Sequence, residues 1–369
     1  MDRWILLATL VLGALGGIPR AAHAALPFPD LPTNRWVPVR VVCRGGLASY
    51  FNGCPAPRGW LQLAYDTRRH RVVMFGGSGG WYYNDLWQFN PLTRVWRLKI
   101  QDTRLAGEKK DWAVYPKGRD NHEFVYDPVH DVFWMYGGTG GGGFWKLTAS
   151  NDAWTRMPGR HDGKSLPNAA LDPGFALDAA DNEILLFGGE RASYYDGTWL
   201  FNTQQQKWEH LHPKISPPAR AQTENAMVYD PDDKEFILFG GLTTRRVLLN
   251  DTWVFKMGSR TWVRMHPSVS PPPRDRHMMV YDETDRRVIL WGGAPTADTW
   301  VYDPRRDTWQ EVRAARGSYH AALSPKAAGV YCPDLDLTVY RDLSGQVYFF
   351  RLDLATLDRK AAGSPRWRP

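Results

Sequence analysis

The sequence predicts an all-β fold, a six-bladed β-propeller with four antiparallel strands per blade and the last blade closed by a strand from the N-terminus. Three observations predict it. A short apolar run ends in Gly-Gly five times, at Gly76-Gly77, Gly137-Gly138, Gly188-Gly189, Gly240-Gly241 and Gly292-Gly293, with separations of 61, 51, 52 and 52 residues. Two tryptophans follow each pair, always nine residues apart: Trp87 and Trp96, Trp145 and Trp154, Trp199 and Trp208, Trp253 and Trp262, Trp300 and Trp309. A sixth unit after Trp309 keeps the spacing but lacks both Gly-Gly and tryptophan. A period of this length marks units that bury their apolar faces only against one another.

Each unit reads as four strands. The first ends in a Tyr-Asp turn, as at Tyr65-Asp66, Tyr126-Asp127, Tyr229-Asp230 and Tyr281-Asp282, and an apolar, β-branched second strand such as RVVMF or EFILF follows. Glycine closes the second strand where a side chain would obstruct a bend or a neighbouring backbone. The third and fourth strands each carry one tryptophan of the pair, and turns such as NPLTR and DPRRD join them. Large rings on both outer strands fill the wedge between blades, so these tryptophans are expected in the core.

In the sixth unit, Tyr331 to Val339 spans the same eight residues as Tyr65 to Val73, and Asp353-Leu354-Ala355-Thr356 resembles Asn90-Pro91-Leu92-Thr93. Phe350 is expected to replace the third-strand tryptophan, and Arg359 falls where the fourth-strand one belongs. The segment NRWVPVRV around Trp36 resembles RTWVRMH around Trp262 and is expected to supply the missing outer strand, since an open ring would expose an unpaired edge. The expected layout is a closing strand at about 34–41, blades at about 58–100, 119–157, 172–211, 222–265, 275–313 and 326–359 within a single propeller of 25–360, and a tail at 361–369.

The strand-Gly-Gly pattern, with NDLW at 84–87, NDTW at 250–253 and the second tryptophan, resembles the kelch-repeat family across nearly the whole chain after its first 24 residues. The resemblance implies the fold and leaves the role open, because kelch propellers serve as enzymes, scaffolds and binding modules. A copper-radical oxidase of the galactose oxidase type shares the central fold, but its Tyr–Cys crosslink has no counterpart here. A sialate epimerase of the periplasmic kelch type is similar in size and blade number, with no residue-by-residue motif.

The first 24 residues hold Arg3, an apolar stretch from Ile5 to Ile18 and Ala22-His23-Ala24, which reads as a signal peptide with an A-x-A cleavage site. A secreted or periplasmic location is therefore expected, with no membrane span after cleavage. Cleavage removes Asp2, Arg3 and Arg20 and lowers the formal net charge from +7 to +6. A modest excess without a Lys/Arg run argues against nucleic acid as a partner and is compatible with an acidic ligand. Of three cysteines, Cys43 and Cys54 share the connection into the first blade and are expected to form a disulfide, whereas Cys332 takes the turn position of Asp66 on the opposite face. A monomer is expected.

Loops entering each blade and loops joining second to third strands share one face around the channel mouth, the default binding surface. The incoming loops repeat Arg-x-x-His at Arg119 with His122 and at Arg274 with His277, with Arg58 and Arg220 in similar places. These groups suit either an anion or the bracing of neighbouring loops. Residues that vary between blades are the sharper candidates for ligand binding: Asp120, Asn121, Glu123, Glu224, Asn225, Asp275 and Arg276, then Trp81, Tyr82, Arg191, Tyr194 and Arg245. Aromatic faces beside guanidinium and carboxylate groups suit a glycan or a protein ligand. A binding or scaffold module follows. The alternative is a carbohydrate-modifying enzyme of epimerase, lyase or hydrolase type, for which Glu123 and Glu224 form one candidate carboxylate pair. No cofactor and no metal is expected. His122, His277 and His320 lack a local ligand spacing, and the glycine loop at 138–144 lacks the GK[ST] of a phosphate loop.

Overall fold

The computed structural model describes residues 27–357 apart from 46–52, 108–110, 141, 159, 162–163, 166, 168–170, 222–225 and 313–325. The expected signal peptide, Glu224, Asn225, His320, Arg359 and the tail therefore lie outside the described residues. Six antiparallel sheets form a ring. Their innermost strands are Gln62–Asp66, His122–Asp127, Gly174–Asp178, Met227–Asp230, Met278–Asp282 and Ala328–Cys332, and each lies beside the next, with the sixth returning to the first. Six apolar clusters fill the wedges, each shared by two adjacent blades. Among the described residues no helix is long and apolar enough to cross a membrane.

The ring closes through the N-terminus. Val37–Val39 is the outer strand of the sixth blade, pairing antiparallel with Val347–Phe350 through Val37 with Phe349 and Val39 with Val347. Trp36 continues this register and is buried against Trp291, Tyr340 and Phe350. Its indole Nε1 donates to Thr299 Oγ1 of the fifth blade at 3.1 Å. Trp262 and Trp309 make the same bond, each to the threonine before the third-strand tryptophan of the preceding blade, Thr198 and Thr252, at 3.0 Å. Trp36 is thus the sixth blade's fourth-strand tryptophan in chemistry as well as position.

Register corrects one detail. In the other blades the fourth-strand tryptophan faces the residue two past the third-strand one, as Trp309 faces Tyr302 and Trp96 faces Phe89. In the sixth blade that facing residue is Phe350, so Tyr348 holds the third-strand tryptophan's place. Tyr340 pairs with Tyr348 as Leu290 pairs with Trp300.

A second strand, Val42–Arg44, runs parallel to the outer strand of the first blade, Val95–Ile100, through Val42 with Val95 and Cys43 with Trp96. The N-terminal segment therefore holds both sides of the seam. Cys43 and Cys54 are joined in a disulfide with their Cα atoms 5.1 Å apart, tethering this strap to the loop into the first blade. Cys332 is fully buried at the end of its inner strand, and burial pushes its thiol pKa up.

At the turn end of the channel, tyrosines of the inner strands tie neighbours together. Tyr229 donates to Asp178 at 2.6 Å, Tyr281 to Asp232 at 3.0 Å and Tyr331 to Thr284 at 2.9 Å, each across a blade boundary. A mainly apolar cavity of about 490 Å³ opens there, on the face opposite the incoming loops.

Replacing Trp36 with Ala removes a buried ring and leaves Thr299 without its donor. The expected loss is about 3–5 kcal/mol of stability, measured by urea unfolding of the purified chain. An unchanged midpoint would show that the N-terminal strand is not the closure.

Candidate functional site

The arginines ahead of the first strands are structural clamps. Arg58, Arg119, Arg220 and Arg274 are all almost fully buried. Each donates from Nε to the carbonyl two residues back, of Ala56, Lys117, Pro218 and Pro272, and from Nη1 to the first carbonyl of its own blade's Gly-Gly, at Gly76, Gly137, Gly240 and Gly292. In blades 1, 4 and 5 the guanidinium also grips an aspartate through both oxygens, namely Asp85, Asp251 and Asp298. That aspartate accepts the indole N–H of the tryptophan two residues on, Trp87, Trp253 or Trp300. The arginine backbone reaches back to the previous blade: Gly77 N donates to Arg119 O at 2.8 Å, and a Cβ on Gly76 would stand 2.7 Å from that oxygen. Only glycine fits there, with φ at 70°.

His122 and His277 lie between blades, edge-on to Phe75 and Phe239 of the preceding one and fully buried. Burial, with Arg119 or Arg274 beside them, lowers both pKa values to about 3. They do not converge on the mouth, and no group of three or more metal-ligating side chains is present among the described residues.

The mouth itself is built by a residue the sequence does not advertise. Trp60, Asn121, Asp172, Arg276 and Lys326 each stand in the left-handed region, at φ of 50°, 54°, 53°, 53° and 75°, just ahead of their inner strands. Trp60 N donates to Lys326 O, Asn121 N to Trp60 O and Asp172 N to Asn121 O, so backbone bonds link blades 6, 1, 2 and 3 in succession along the channel. Side chains at this one position differ in each of these five blades: the Lys326 ammonium sits 4.1 Å from the Trp60 ring centroid, while Asn121 and Arg276 are half-buried. Tyr194 joins them, its hydroxyl pKa raised by burial with Glu190 and Asp172 adding to the effect, and with Arg246 and Arg276 opposing it. Sequence reasoning singled out Asn121 and Arg276 and missed Trp60, Asp172 and Lys326; a shared offset of two from the clamp arginine links Trp60, Asn121 and Arg276.

The other candidates divide. Asp120 is a brace, accepting from Ser78 Oγ at 2.7 Å and from Thr139, and so linking the rim loops of blades 1 and 2. Glu123 is buried on its inner strand, paired in register with Tyr136. Asp275 is buried with Arg276 at 3.9 Å, and burial raises its carboxyl pKa. Arg191 and Arg245 are exposed on rim loops. Trp81 and Tyr82 line an open cleft of about 580 Å³ with Arg104, Trp112, Lys117 and Gly118. Its far wall is the loop after the first blade, held by Asp102, which caps the short helix Thr103–Ala106 and accepts from Asn84 N at 3.0 Å. Tyr115 OH donates to Asn84 O at 2.8 Å, fixing the other end. The Arg104 guanidinium lies 5.4 Å from the Trp81 centroid and the Lys117 ammonium 5.9 Å from that of Trp112. Trp81 Nε1 is buried without an acceptor among the described residues.

The buried imidazoles contribute to the acid limb of the stability curve. Their folded pKa values lie below the unfolded value near 6.5, so their contribution is intact above pH 6.5 and is lost as pH falls from 6.5 towards 3. Each costs about 1.4 kcal/mol per pH unit in that window. His277→Leu is expected to flatten the slope of unfolding free energy against pH by about that amount; an unaltered slope in urea titrations between pH 6.5 and 4 would overturn the assignment.

A family model described as the KLHDC2/KLHL20/DRC7 Kelch-repeats domain matches residues 174–332. Among curated proteins, Mei4-dependent protein 6 of Schizosaccharomyces pombe is 20% identical over 301 residues, covering 72% of this chain and 41% of that protein. Acyl-CoA-binding domain-containing protein 5 of Arabidopsis thaliana is 25% identical over 53% of this chain and 32% of its own length. The F-box/kelch-repeat protein At1g51550 of Arabidopsis thaliana is 24% identical over 58% of this chain and 48% of its own. The chain thus spans less than half the length of each of these relatives. The Gly-Gly and tryptophan repeat, the six-bladed ring and the family match over residues 174–332 agree, and together they support a kelch-repeat β-propeller.

Proposed function

We propose that the chain is a non-catalytic recognition module that takes an acidic segment of a partner protein into the cleft beside the channel mouth. One observation carries the reading: Trp81, Tyr82 and Trp112 present aromatic area in a single open cleft with Arg104 and Lys117, and the Trp81 indole N–H lacks an acceptor among the described residues. Aromatic anchors beside cations suit a hot spot for an extended acidic chain, and the net charge of +7 favours its approach. Tyr82 and Trp112 are exposed, which also favours a second ligand class, an acidic glycan stacked on the rings.

Fluorescence anisotropy with a labelled Asp/Glu-rich peptide tests the first reading, and a labelled uronic-acid oligosaccharide tests the second. Trp112→Ala and Lys117→Ala, both at exposed positions, are expected to weaken binding at least about tenfold, and raised salt is expected to weaken it further. Binding that survives both substitutions overturns the cleft. Product in the oligosaccharide incubation, detected by mass, would instead favour the carbohydrate-modifying alternative.

We further propose that the protein acts outside the cytoplasm. The apolar segment with Ala22-His23-Ala24 and the Cys43–Cys54 disulfide both support this, since disulfides persist in oxidising compartments. N-terminal sequencing of chain recovered from the secreted or periplasmic fraction is expected to begin at Ala25. Recovery of chain that retains Met1, or none outside the cytoplasm, would overturn export.

A further inference from the structure

In blades 1, 4 and 5 the clamp arginine is neutralised by the aspartate that also takes the tryptophan N–H. Blade 2 keeps the arginine and the tryptophan, but Gly143 stands in the aspartate's place, two residues before Trp145. Arg119 is 1% exposed. Its Nε donates to Lys117 O at 3.1 Å and its Nη1 to Gly137 O at 2.8 Å and Gly142 O at 2.9 Å, and among the described residues no carboxylate pairs with it. Trp145 Nε1 reaches only the Gly142 carbonyl, at 3.4 Å, which is long for such a bond. A second guanidinium faces the same ring: Arg119 and Arg156 lie 5.8 and 5.7 Å from the Trp145 centroid. A Cβ built on Gly143 would stand 3.2 Å from Trp145 Nε1 and 3.9 Å from Arg156 Nε, so the place an aspartate would fill is bordered by donors. In blade 3, by contrast, Gly197 replaces the aspartate and Ala170 stands in the arginine's place, just before Leu171, so no cation is left to neutralise.

We propose that blade 2 carries a carboxylate-binding socket, in which the carboxylate of a ligand takes the position of the missing aspartate, displaces the Gly142 carbonyl, and accepts from Arg119, Trp145 Nε1 and Arg156. A single neutral carbonyl shared by two donors is a weak substitute for two charged oxygens. Burial, with the Arg156 charge adding to it, holds the Arg119 pKa down to about 9, a cost that an incoming anion relieves. Side-chain exposure at this position runs from 0% at Asp85 through 9% at Asp251 to 21% at Asp298, and in blade 2 the approach is by way of Arg156, which is exposed. At the socket itself Gly142 and Gly143 carry no side chain, and they take φ of 56° and 91°.

The socket shares no side chain with the aromatic cleft, so peptide binding at the cleft and carboxylate binding here succeed or fail separately. The test is the indole N–H spectrum of chain labelled with [15N]tryptophan, with the Trp145 resonance assigned by its loss in Trp145→Phe. Acetate titrated against chloride at constant ionic strength is expected to shift Trp145 saturably. Arg156→Gln, at an exposed site that leaves the fold intact, is expected to weaken the effect about tenfold, and Gly143→Asp to remove it by supplying an internal carboxylate. No shift with acetate, an equal shift with chloride, or an unweakened shift in Arg156→Gln would each overturn the socket. Glucuronate and N-acetyl-aspartate amide then separate a sugar acid from a peptide carboxylate, the tighter of the two naming the source.

Discussion

A ring of sheets is only as strong as its last joint, and here the joint is three strand pairings, Val37 with Phe349, Pro38 with Tyr348 and Val39 with Val347, backed by Trp36. Four of the six wedges are filled by consecutive blades alone, and the two flanking blade 6 also take residues from the N-terminal segment. Trp36 enters the cluster between blades 5 and 6, while Val39 enters the one between blades 6 and 1, so a short strand contributes to two wedges at once. The parallel strand Val42–Arg44 then covers the free edge of blade 1, where exposed backbone groups would otherwise invite pairing with another chain.

Position in the ring decides what each repeated residue does. The clamp arginine spends its Nε and Nη1 on carbonyls and, in three blades, its fork on an aspartate. Repeated identity here marks scaffold chemistry, because the same junction recurs. Variation marks the mouth, where backbone bonds hold the chain in one conformation while the side chains are left free to differ. The two layers sit next to each other, so a rim of diverse chemistry rests on a uniform frame.

How far this was legible in the sequence follows from the same distinction. Gly76 and its counterparts, and the tryptophans nine apart, are visible because an identical steric demand is met in blade after blade. Trp36 was visible because its neighbours copy those of Trp262. The place of Tyr348 was not, since distinguishing it from Phe350 needs the strand register. Nor was Val42–Arg44, which has no repeat counterpart. The mouth positions were hidden for a physical reason: Trp60, Asn121, Asp172, Arg276 and Lys326 have a backbone angle in common and no side-chain chemistry. The cleft was half legible, through Trp81 and Tyr82; Arg104, Trp112 and Lys117 come from a loop outside the repeat and are brought in by the Asp102 cap and the Tyr115 hydrogen bond.

The N-terminal closing strand also imposes an order in time. Val37 precedes its partner Phe349 by 312 residues, so the contact that completes the ring is among the most non-local of the described residues. The ring stays open until Val347–Phe350 is available to pair with Val37–Val39. Contacts of such separation slow folding, because the closure entropy is spent before the contact rewards it. For the export proposed above that delay is an advantage: a fold that waits for its last blade leaves the chain extended for passage through a membrane.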